Sequence, residues 1–180
     1  METIEAIRDF FLADDAVKLE LSFLQLNTTL QEASPLVDDW QEVEFAFNRL
    51  FVGPAALEAP PFSSVYLDAQ GQVMSQTTLD VRQMYRALGL ESPWKNSLPD
   101  DHISLELDAA LALNYLVKEV DDEVVRELHA HFMMHMEKWV PQFIELVLSA
   151  PSSHPVINHV VICLSNWLQK KTKQSKEQSA

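Results

Sequence analysis

The sequence predicts an all-α fold: one helical domain over residues 1–180, of about seven helices, with a hinge between two helical parts. Three observations carry this. The 180 residues suffice for one domain with a sizeable core. Only 3 are Gly, too few for the turns of a strand-rich fold. Apolar residues also recur at spacings of three and four along most of the chain.

Taken in order, Ile4, Ile7, Phe10 and Phe11 make a short apolar stripe, interrupted at Asp14-Asp15, and Val17, Leu21, Leu24 and Thr28 continue it. Ser34-Pro35 reads as an N-cap followed by Pro at the first helical position. The next stripe is Leu36, Trp40, Val43, Phe47, Leu50 and Phe51, stopped by Gly53-Pro54. Residues 53 to about 75 keep no helical period, and Pro60-Pro61 breaks any helix there. The segment carries Phe62, Val65, Tyr66 and Leu67, which suits either a functional loop or plain packing.

Thr77-Thr78 can cap a helix through Leu79, Arg82, Tyr85, Arg86 and Leu88 that ends at Gly89. Residues 90–100 are polar and bounded by Pro93 and Pro99, the expected hinge. A helix begins near Pro99-Asp100-Asp101. From Ile103 to Val117 it is apolar on nearly every face, which predicts a central buried helix. Asp121-Asp122 open another helix through Leu128, Phe132, Met136, Trp139, Phe143 and Val147, where Pro141 implies a kink or break. Residues 151–155 form a turn, Val156–Leu168 the last helix, and 170–180 a polar tail expected to fray.

Composition narrows the function. A formal net charge of -14 repels phosphate backbones and anionic lipid, so nucleic acid and stable membrane insertion are poor expectations. Cys163 is the only cysteine, within Val160–Leu164, and reads as a small buried residue. The acidic start Met1-Glu2-Thr3-Ile4-Glu5 is not a secretory signal. The longest apolar run, Ala109–Val117, contains Asn114 and falls far short of the ~20 residues that span a bilayer. A cytoplasmic location is the expectation. No GxSxG, P-loop or GxGxxG pattern is present, which favours a binding protein over an enzyme and predicts no cofactor.

Three constellations stand out. In Pro99-Asp100-Asp101-His102 the proline sets the helix entry, and the carboxylates sit where a helix N-terminus is partly positive. Capping alone explains both aspartates, but not the whole tetrad beside a polar hinge. His131 and His135, four apart on one helix face, have zinc-ligand spacing but lack further ligands. A small helical metal-dependent hydrolase using this pair is the alternative reading. Met74, Met84, Met133, Met134 and Met136 suit an adaptable peptide groove or ordinary core filling.

Three blocks in order resemble the TorD/DmsD family of redox-enzyme maturation chaperones. They are Phe47–Pro54 continued by Ala59–Asp68, then Thr78–Arg86 with Gly89-Leu90, then Pro99–Leu107. A weaker fourth match joins His135, Trp139, Pro141 and Phe143. Together they cover about residues 45 to 145. The resemblance implies an all-helical, hinged fold and binding of the twin-arginine leader of a molybdopterin-containing reductase, and often of the enzyme's body, until its cofactor is inserted. It implies no catalysis. Leader contacts would fall on Pro99, Asp100, Asp101 and His102, and on the apolar Phe47, Leu50, Phe62 and Tyr66. A monomer or a domain-swapped dimer would suit such a hinge.

The chain departs from the family pattern. Some relatives have Trp at Phe47, Ala55, Phe62 and Tyr66, and often Glu at Leu98; the first 45 residues match poorly. These differences leave the client reductase open. His102 between carboxylates is further expected to tune binding near neutral pH.

Overall fold

The computed structural model describes residues 3–30, 34–91 and 97–178. The chain is all-α. The helices are α1 (Thr3–Leu12), α2 (Ala16–Leu30), α3 (Trp40–Phe47), α4 (Ser63–Leu67), α5 (Gln76–Ala87), α6 (Ile103–Glu119), α7 (Glu123–Ser149) and α8 (Pro155–Gln178), with a π-helical turn at Asn48–Val52 after α3. Among the described residues the nearest approach to a strand is one isolated antiparallel bridge between Phe62 and His102. No helix among them is long and apolar enough to cross a membrane.

The chain divides into two compact units. Unit 1 is Met1–Pro61 with Pro141–Trp167; unit 2 is Phe62–Val140 with Leu168–Ala180. The divisions therefore fall at 61/62, 140/141 and 167/168. The 90–100 stretch belongs to unit 2, and its residues 92–96 lie outside the described ones.

Unit 1 is built on an aromatic cluster. Spacings of three and four along α1 bury Ile4, Ile7, Phe10 and Phe11. Phe10 meets the Phe47 ring at 5.7 Å, Phe47 meets Phe51 at 5.0 Å, and Phe51 meets both Phe11 (5.5 Å) and Phe143 (5.8 Å). Most of these are edge-to-face, the arrangement that the ring quadrupole prefers. Glu58 accepts from Ser152 N (2.9 Å) and Ser152 Oγ (2.8 Å), which fixes the turn before α8.

Two expectations for this unit are corrected. Helix α2 forms, but Val17, Leu21 and Leu24 face solvent while Leu19, Phe23 and Leu26 are buried. This helix is apolar on two faces, and the one with Phe23 wins because its ring packs on Trp40 (5.6 Å) and His159 (5.7 Å). The helix expected from Ser34-Pro35 starts instead at Trp40, because the Asp39 carboxylate accepts from Gln41 N (2.8 Å); Leu36 stays 97% exposed.

In unit 2, α6 buries nine residues between Ile103 and Asn114, as a central helix should. Helix α4 falls where no period was visible. Helix α5 starts one residue before the expected cap. The Asp68 carboxylate accepts from Thr77 N (3.0 Å), Thr77 Oγ1 (2.7 Å) and the Ser75 hydroxyl, placing Thr77 and Thr78 inside the first turn. Gly89 (φ +69) turns the chain after this helix. Helix α7 runs on past Pro141 without a break. Helix α8 reaches Gln178, within the 170–180 stretch expected to form a polar tail.

Candidate functional site

The Pro99–His102 turn is the polar centre of unit 2. Its four residues do different work. His102 N donates to Pro99 O (3.1 Å), closing the turn. Asp101, fully buried, was expected to cap its own helix. It caps α4 instead: Oδ2 accepts from Ser64 N (2.9 Å), and its backbone O accepts from Ser63 N (3.0 Å). Its other oxygen accepts from Thr78 Oγ1 of α5 (2.9 Å). One carboxylate thus ties α4, α5 and the entry to α6 together.

His102 caps α6. Its Nδ1 accepts from Ser104 N (3.2 Å) and lies 2.7 Å from Ser104 Oγ. Accepting from a backbone N–H requires an unprotonated Nδ1, so the hydroxyl donates as well and the neutral imidazole keeps its proton on Nε2. Burial pushes its pKa down to about 3, in accord with that bonding. The expected titration near neutral pH is thereby corrected: burial disfavours the charged imidazolium.

Asp100 has an outward-facing role. Its Oδ2 lies 2.5 Å from Arg82 Nε, and its backbone O accepts from the Tyr85 hydroxyl (2.9 Å). Both partners belong to α5, one turn apart. Arg82, Asp100 and Pro99 line a groove of about 240 Å3 whose apolar walls are Met74, Tyr85, Leu90 and Leu98. Arg86 and Glu91 add further charge to it.

Behind the turn, Glu106 is fully buried. It accepts from Trp139 Nε1 (2.9 Å) through one oxygen and lies 3.0 Å from His135 Nε2 through the other. Burial opposes protonation of His135, but the charge and hydrogen bond of Glu106 outweigh it and raise its pKa above the ordinary 6.5. The Trp139 indole stacks on Tyr66 at 5.6 Å. Phe62 lies against the His102 ring at 5.2 Å.

The structure therefore brings Pro99, Asp100, Asp101, His102, Phe62 and Tyr66 into one unit. Phe47 and Leu50 belong to unit 1, where both are buried. Sequence reasoning left out of the site Ser64, Thr78, Arg82, Tyr85, Glu106, His135 and Trp139. All seven lie in the blocks that carry the resemblance, so the signal was present as a pattern without assigned roles.

The metal reading does not fit. His131 and His135 line a second cavity with Asp80 and Lys138. Yet among the described residues no three His, Cys, Asp or Glu gather as a metal needs, and His135 Nε2 is engaged by Glu106. The methionines do not share one groove: Met84 and Met134 line this second cavity, Met74 lines the first, and Met133 and Met136 are core.

These features define an all-helical protein whose polar centre holds helices together beside an open, mixed groove. The chain belongs to the nitrate reductase delta subunit family, which matches residues 12–145. It is similar to the Tat proofreading chaperone DmsD of Salmonella typhi, 32% identical over 112 residues, 61% of this chain and 50% of that one. It is 29% identical over 105 residues to the probable Tat proofreading chaperone DmsD of Haemophilus influenzae, 58% of this chain and 48% of that one. It is also 26% identical over 112 residues to the chaperone protein TorD of Aliivibrio fischeri, 59% of this chain and 52% of that one. The chain spans about half the length of the curated relatives it matches.

Proposed function

We propose that the chain is a non-catalytic, cytoplasmic chaperone. It binds the twin-arginine leader of a molybdopterin-containing reductase, with the enzyme's body as a second contact, and holds the precursor while cofactor is inserted. The observation that carries this reading is the convergence of the resembling blocks. Phe62, Ser64 and Tyr66 from the first, Thr78, Arg82 and Tyr85 from the second, Asp100–His102 and Glu106 from the third, and His135 and Trp139 from the fourth interlock in one network. The network opens on the groove beside Pro99. Relatives named as Tat proofreading chaperones support the reading.

A leader offers two guanidiniums and then an apolar stretch. Met74, Leu90 and Leu98 suit the apolar part. Burying ~100 Å2 of it against these walls is worth roughly 2.5 kcal/mol before ordering costs, whereas an exposed ion pair adds about 0.2–1 kcal/mol. Apolar contact supplies most of the affinity, and charge supplies orientation and rate.

The test is calorimetric titration with a synthetic leader peptide of two consecutive arginines followed by an apolar segment. Leu98→Ser, which alters the groove wall alone, weakens binding severalfold. Pro99→Ala/Asp101→Ala/His102→Ala weakens it at least tenfold, with thermal melting run alongside because Asp101 and His102 hold unit 2 together. Full affinity in Leu98→Ser removes the groove from the reading, and no binding of the peptide to the wild type removes leader recognition itself.

A further inference from the structure

Arg82 stands where an incoming arginine would have to go. Asp101 is closed to a ligand, since Ser64 N and Thr78 Oγ1 already occupy its two carboxylate oxygens and it is fully buried. Asp100 is the carboxylate of the tetrad that reaches the groove, and Arg82 Nε already lies 2.5 Å from it. The Asp100 side chain is 11% exposed, while that of Arg82 is 43% exposed. The acceptor is thus fixed, and its partner sits at the solvent side.

Arg86, one turn further along α5, lines the same groove. Two leader guanidiniums added beside Arg82 and Arg86 would place four cations around Asp100 and Glu91. Like charges at that density repel one another, so the leader arginines cannot simply be added. A guanidinium is the one side chain with the same planar five-donor fork as Arg82, and it can replace that arginine on Asp100 without leaving the carboxylate unpaired.

We propose that Arg82 is an internal stand-in for a leader arginine, holding Asp100 until a leader displaces it. This rests on the leader-binding reading above. Exchange of one arginine for another gives little net affinity. A peptide without a guanidinium leaves Arg82 in place and draws nothing from Asp100. Arg82 is accordingly an internal competitor: it holds down the affinity for arginine-bearing peptides alone.

The test uses the full chain and two synthetic peptides, the twin-arginine leader and the same peptide with both arginines replaced by glutamine. Arg82→Gln, which frees Asp100, is expected to bind the twin-arginine peptide about two- to fivefold tighter than wild type. It gains nothing for the glutamine peptide, and the gain disappears in Arg82→Gln/Asp100→Asn. Unchanged or weaker binding of the twin-arginine peptide by Arg82→Gln overturns the proposal and leaves leader recognition intact. Failure of both wild type and variant to bind either peptide overturns both. Should Arg82→Gln not fold, the Nε–H resonance of Arg82 in the wild type decides the matter. It is expected to move on adding the twin-arginine peptide and to hold still with the glutamine peptide; no movement with the former overturns the proposal.

Discussion

At the scale of single residues, the Pro99–His102 turn divides a structural task among its members. Asp101 makes two buried charge-assisted hydrogen bonds, each worth about 1.5–3 kcal/mol. Asp101→Ala should therefore lower unfolding free energy by about 3 kcal/mol in urea titration, whether or not a leader is present. His102 gives a pH signature. Its folded pKa, about 3, lies below the ordinary 6.5, so the unfolded chain binds the extra proton first. Its contribution is complete above about pH 6.5 and is lost as pH falls towards 3, on the order of 5 kcal/mol in all. His102→Asn keeps a capping oxygen, so the stability difference between wild type and variant should slope across that window. A flat difference would show that His102 does not titrate there. His135 has the opposite sign: its raised pKa adds stability below about pH 6.5 that is lost as pH rises through the folded value. The tetrad was legible in the sequence, but its division of labour was not. Nothing local distinguishes an aspartate that caps its own helix from one that caps a neighbour's, because the partners Ser64 and Thr78 are 37 and 23 residues away.

At the scale of elements, α6 and α7 are held by Glu106, which serves His135 and Trp139 at once. Glu106→Ala leaves a buried histidine and an indole N–H without their acceptor. The expected loss is about 3–5 kcal/mol, read as a fall in melting temperature with a shift in tryptophan emission as Trp139 loses its partner. Asp39→Ala, which removes a single exposed cap from α3, should cost about 1 kcal/mol. Helix existence was readable from apolar spacing, but helix faces were less so. In α2 the 17/21/24 and 19/23/26 rows are equally apolar, and only the rings of Trp40 and His159 decide between them. Helix α4 is five residues long, too short to express a period, and its N-terminus is held by a residue from another part of the chain.

At the scale of the whole molecule, the formal charge of -14 sets a field that would draw in the cationic leader proposed above from a distance. Raising salt from about 50 to 500 mM should slow association in stopped-flow experiments while leaving dissociation nearly unchanged, because screening acts on the approach more than on the apolar contact. Loss of all binding at high salt would instead place the affinity in the charges. The division of the chain into two units has a different consequence. Unit 1 joins the first 61 residues to a segment that begins at Pro141. During synthesis the aromatic side chains of α1 and α3 emerge long before Phe143, the ring that completes their cluster. Phe10, Phe11, Phe47 and Phe51 must then wait through the translation of some eighty intervening residues, exposed to any protein that captures apolar segments. The core of unit 1 can therefore close only after residues 62–140 of unit 2 have been made.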